Sequence, residues 1–125
     1  MEWKIDDSRP IWPQIKEQLM RDFVAGKYPM GSPFPTVRDL AEDAKVNRNT
    51  MQRALSELEN EGLVITNRTS GRTVTMDENL IKLTRGKIAK EKIVSFRQEM
   101  EDMGFTMEEI ISLMRGSDSD VEKGE

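Results

Sequence analysis

Apolar residues recur every three to four positions over five stretches of the chain, and that period predicts five helices. Ile11, Ile15, Leu19 and Phe23 line one side of the first, over 11–25. Pro10 and Pro13 suit its opening turn and Gly26 its end. Val37, Leu40, Ala41 and Ala44 line the second, with Thr36 as N-cap and Asp39 three residues on. Met51, Ala54, Leu55 and Leu58 line the third, over 47–61, between Asn47 as N-cap and Gly62 as C-cap. From Leu80 the period returns through Ala89, Ile93, Phe96, Met100 and Met103, with Gly86 marking a bend or a close helix contact. Gly104-Phe105 predicts a Schellman end and Thr106 with Glu109 a capping box. Met107, Ile110, Ile111 and Met114 then line a last helix that stops near Gly116.

Between these helices the period changes. Leu63–Thr66 and Arg72–Thr75 read as two short strands joined by a turn over Asn67–Gly71. Trp3 and Ile5 alternate, so Glu2–Ile5 could add a strand, while Tyr28–Pro35 (YPMGSPFP) is an irregular, extended connection. The second and third helices are separated only by Lys45-Val46. Two short helices so joined, followed by a hairpin, predict a helix-turn-helix with a wing. The fold class is therefore mainly α with a small β-hairpin. Residues 1–76 form the winged helix-turn-helix domain, 77–116 a two-helix hairpin, and 117–125 a polar tail expected to be disordered.

The polar side of the third helix carries the candidate chemistry. Asn49, Gln52, Arg53 and Ser56 lie opposite its apolar stripe, and no acid occurs before Glu57. Asn and Gln can bond adenine edges in pairs, and Arg can do the same to guanine. Taken alone, this face reads first as that of an ordinary surface helix; the adjoining helix and hairpin reverse the order in favour of base reading. Thr50 could touch a phosphate or a thymine methyl, and Asn47 is a cap rather than a contact. At the wing tip stand Arg68, Ser70, Gly71 and Arg72, where glycine permits a tight turn and close approach to a groove. Arg68 and Arg72 are expected mainly on phosphates.

Composition narrows the alternatives. The chain has neither Cys nor His, which excludes disulfides, removes the commonest zinc ligands and leaves no usual general base. No metal and no cofactor is expected. The acid pairs Glu42-Asp43, Glu101-Asp102 and Glu108-Glu109 sit at adjacent helical positions that diverge, so they read as solvated faces rather than a catalytic pair. No signal peptide and no membrane-length apolar run is visible, so a cytoplasmic protein without membrane contact is expected. Net charge is -4, but residues 1–76 hold eleven basic and eleven acidic residues, so the excess acid lies beyond them. A neutral domain with local basic spots can still bind DNA, though not by bulk attraction.

Two amphipathic helices cannot hide both stripes on each other. A second copy is the natural cover, so a homodimer is expected through Ile93, Phe96, Met100, Met103, Met107, Ile110, Ile111 and Met114. Met residues there could also line a pocket for a small-molecule effector, whose identity is left open; core filling is the commoner use.

PIWPQI (10–15), FPTVRDLA (34–41), VNRNTMQRALSELENEGLV (46–64) and SGRTV (70–74) resemble, in order and spacing, the winged helix-turn-helix of GntR-family bacterial transcription regulators. The likeness covers roughly residues 3–76, and the VNRNTMQRA segment with the short helical tail is most similar to the YtrA-type branch. The resemblance implies a regulator, usually a repressor, that binds a palindromic double-stranded DNA operator as a homodimer. It implies DNA contacts at Arg38, at Arg48, Asn49 and Thr50, and at the wing glycine Gly71. The chain departs from the usual pattern at Gln52, where many members carry Arg, at Thr36 in place of Ser, and in a wing poorer in glycine. The alternative is a winged-helix module that binds protein and shows no salt-sensitive DNA binding.

Overall fold

The computed structural model describes residues 2–69 and 71–122, with the backbone alone for 117–122. The elements run α1 (Ile11–Val24), α2 (Val37–Ala44), α3 (Arg48–Asn60), β1 (Val64–Asn67), β2 (Gly71–Val74), α4 (Glu78–Asp102) and α5 (Met107–Glu122). The chain divides into two compact units, Met1–Gly86 and Lys87–Glu125, and α4 is one uninterrupted helix through Gly86.

In the first unit the expected stripes become the core. Ile15, Leu19 and Phe23 of α1, Leu40, Ala41 and Ala44 of α2, and Met51, Ala54, Leu55 and Leu58 of α3 join Leu63, Val64 and Val74. Phe23 also packs on Tyr28 and Phe34, with ring centroids 5.4 and 5.3 Å away. The caps follow the side chains. Thr36 Oγ1 accepts the Asp39 N–H at 3.0 Å, and Asn47 Oδ1 accepts that of Asn49 at 2.6 Å. Gly62, at φ 80°, turns the chain out of α3, so that Leu63 donates back to the Leu58 carbonyl at 3.0 Å and is buried.

β1 and β2 pair antiparallel with Val64 opposite Val74 and Asn67 opposite Gly71, the expected hairpin within one residue. The proline-rich connection is more ordered than its composition suggests. Phe34 donates to the Arg72 carbonyl at 2.8 Å and Val74 to the Ser32 carbonyl at 2.9 Å, so Pro33 bridges Thr73 as an edge segment. Pro33 occupies a non-hydrogen-bonded position of that ladder, where its missing N–H costs nothing.

The N-terminal stretch is not the strand expected of Glu2–Ile5. It is held by side chains of α1 instead. Gln18 Nε2 donates to the Glu2 carbonyl at 2.8 Å, and Gln14 exchanges bonds with the backbone of Asp6 at 2.7 and 2.8 Å. Trp3 Nε1 donates to Asp43 Oδ2 on α2 at 2.7 Å, so the arm spans two helices of the unit.

In the second unit the link between α4 and α5 is as expected. Phe105 donates to the Met100 carbonyl at 3.1 Å, and Thr106 and Glu109 bond reciprocally at 2.9 and 3.2 Å. α5 does not stop near Gly116 but continues to Glu122. Of the tail expected to be disordered, 117–122 are therefore helical, and 123–125 lie outside the described residues. A cap at Thr106 and no helix breaker but Gly116 let the helix run on. Among the described residues, no helix is long and apolar enough to cross a membrane.

Candidate nucleic-acid interface

α3 offers its polar side to solvent because the core consumes the other. Met51, Ala54, Leu55 and Leu58 are fully buried, whereas Arg48, Asn49, Gln52 and Arg53 are exposed and Thr50 and Ser56 half-buried. Ala44 to Ser56 contains no carboxylate, and Arg48 opens the helix at the positive end of its dipole. The N-terminal half of α3 is thus cationic and rich in paired donors and acceptors. Gln52 Nε2 donates to Ser56 Oγ at 3.1 Å, which uses one N–H and leaves the amide oxygen and a second N–H open. Asn47 is occupied as the cap.

The flanking cations differ in how far they are engaged. Arg38, at the second position of α2, lies 3.3 Å from Glu42 Oε1 with both side chains largely in solvent. Such a surface pair contributes little and yields readily to a phosphate. Among the described residues, Arg48 and Arg68 have no carboxylate partner. Arg68 stands exposed in the wing turn, and Gly71 at φ 74° has open space around it. Ser70, the remaining tip candidate, lies outside the described residues.

Arg72, expected on a phosphate, also has a partner within the chain. Its Nε donates to Glu59 Oε1 at 2.5 Å, in a half-buried contact that ties β2 to the last turn of α3. Burial pushes the Glu59 carboxyl up, but hydrogen bonds from Arg72 and Thr66 and the Arg72 charge outweigh it, leaving Glu59 below its ordinary value. Lys16 Nζ holds Glu61 Oε1 at 2.8 Å, so two carboxylates at the end of α3 are neutralised by bases of neighbouring elements.

Two features escaped the sequence reading. Trp12, in the first turn of α1, lies with its ring 4.5 Å from the Arg53 guanidinium carbon. Only its place beside the Ile11 stripe, close to a helix that packs on α1, could have hinted at this. Lys45 makes the turn between α2 and α3 in the left-handed conformation, at φ 58°.

In the second unit, Ile93, Phe96, Met103, Met107, Ile111 and Met114 are each 40% exposed or more, Met100 is half-buried, and Val94 and Leu113 are exposed beside them. Ile110 departs from the expected interface: at 3% exposed it is already covered within its own chain.

The description "Bacterial regulatory proteins, gntR family" matches residues 13–74, from the first turn of α1 to the end of β2. The chain is 32% identical over 111 residues to the HTH-type transcriptional regulator YhcF of Bacillus subtilis, covering 89% of this chain and 92% of that protein. It is 32% identical over 120 residues to the HTH-type transcriptional repressor YtrA of the same organism, covering 94% and 91%. A GntR-family transcriptional regulator from Listeria monocytogenes superposes with a TM-score of 0.83 at 36% identity, over 89% of this chain and 97% of that one. The chain belongs to the gntR family of bacterial regulatory proteins and is a DNA-binding transcriptional regulator with a winged helix-turn-helix.

Proposed function

We propose that the protein acts as a homodimer that reads a palindromic operator and represses the genes beside it. The observation that carries this reading is the exposure of Asn49, Gln52 and Arg53 on a helix whose opposite face is wholly buried. Two copies of α3 enter successive major grooves about one helical turn (~34 Å) apart. Asn49, Gln52 and Arg53 then meet base edges, while Arg38, Arg48 and Arg68 hold phosphates and Thr50 takes a phosphate or a thymine methyl. Ser70 and Gly71 bring the wing against the backbone or minor groove. Arg72 serves as the brace that holds the wing at a fixed angle to α3. The exposed apolar residues of α4 and α5 supply the dimer contact. Repression is supported by the likeness to the repressor YtrA, which aligns over nearly its whole length.

Selecting genomic fragments retained by the purified protein tests the reading directly. The expected result is a short inverted repeat whose half-site centres lie one helical turn apart, bound with an affinity that falls steeply as salt rises. Retention without sequence enrichment, or with a single unrepeated half-site, would overturn it.

A further inference from the structure

Arg53 is the one reading-face cation that rests on an aromatic ring. Its guanidinium carbon lies 4.5 Å from the centroid of Trp12, which packs half-buried at the edge of the core. Trp12 takes no part in the Phe23–Tyr28–Phe34 cluster that fills the interior. The geometry divides the guanidinium between two uses. The ring covers one side of the guanidinium and takes up none of its N–H donors. Among the described residues no carboxylate competes for those donors. A contact of this kind restrains a long side chain before DNA arrives and so lowers the ordering cost of binding.

We propose that Trp12 is a positioning residue of the DNA interface, an indole platform that aims the Arg53 N–H edge at the paired acceptors of a guanine in the major groove. The inference rests on the reading that Arg53 meets a base edge. It adds a specificity determinant on α1, outside the helix-turn-helix itself. Trp12 touches no base; it acts through Arg53.

The test uses the full chain and a duplex selected by the wild-type protein from a randomised pool, together with single base-pair variants of that duplex. Trp12→Leu keeps an apolar side chain but removes the π face. It should weaken binding about three- to tenfold. The loss should concentrate at the same base pair at which Arg53→Ala relaxes preference. The double variant should bind no more weakly than Arg53→Ala alone, whereas Trp12→Leu combined with Arg68→Ala should show both losses in full. Trp12→Phe keeps the ring and should recover part of the preference; it carries the comparison if Trp12→Leu unfolds. A loss spread evenly over all duplex variants, or additive with Arg53→Ala, would make Trp12 merely structural and sink the inference. If Arg53→Ala leaves base preference intact while Asn49→Ala alters it, the inference fails and the operator reading stands. If the wild-type protein retains no duplex, both fall.

Discussion

Lys45 carries a backbone conformation that glycine would adopt at lower cost. At φ 58° it is the one non-glycine residue in the left-handed region among the described residues, and it lets Val46 donate to the Ala41 carbonyl at 3.0 Å. Left-handed backbone costs a side-chain-bearing residue about 1–2 kcal/mol. Lys45→Gly should therefore raise the midpoint of thermal unfolding, after some of the gain is lost to the freer unfolded chain. Gly62 shows the converse. Its φ is 80°, and an added Cβ would stand 3.3 Å from Leu80 Cδ2. Gly62→Ala should destabilise the first unit by about 1–2 kcal/mol in urea titration. On the reading face, Arg48→Ala should weaken operator binding strongly in a mobility-shift assay, while Glu101→Ala leaves it unchanged. Equal shifts for the two would put the reading face elsewhere.

At the scale of elements, the Glu59–Arg72 contact ties the wing to the last turn of α3. The sign of its pH dependence follows from Glu59. Its carboxyl titrates lower in the folded chain than in the unfolded one, so the unfolded state binds the proton more readily. The stabilisation is fully present above the ordinary glutamate value and is lost as pH falls through the lower, folded value. Melting curves of the wild-type protein should shift down in acid by more than those of Glu59→Gln, which lacks this titration. How far each element could be read in advance depended on where its cause lay. Caps, stripes and the Gly62 turn are local in sequence, so the bounds of α1 and α3 fell within a residue or two of the expectation. The edge bridge at Pro33 and the docking of residues 2–6 on Gln14 and Gln18 were not legible. Both join segments with no pattern of their own to partners distant in the chain.

For the whole molecule, the exposed apolar surface of α4 and α5 is the feature that asks for a second copy. Ile93, Val94, Met103 and Met114 are each more than 60% exposed. Light scattering at micromolar concentration should give about twice the 14.4 kDa of the chain. Ile93→Lys together with Phe96→Lys should give the single-chain mass and lose most operator affinity, because two half-sites are then bound independently. A wild-type protein of single-chain mass would remove the basis for a twofold operator.

The sequence by itself determined the five helices, the hairpin and which side of α3 faces water. Periodicity and capping act over three or four residues, so which face of a helix is apolar is written locally in the chain. Tertiary structure alone decided which cations stay open and which are engaged. Arg72 and Arg68 look alike as members of a basic wing, yet only folding brings Glu59 against one of them and leaves the other in solvent. Arg53 and Trp12 are likewise two ordinary residues far apart in the chain until α1 and α3 pack. A charge–charge or charge–ring contact is set by distance in space, which no local pattern encodes.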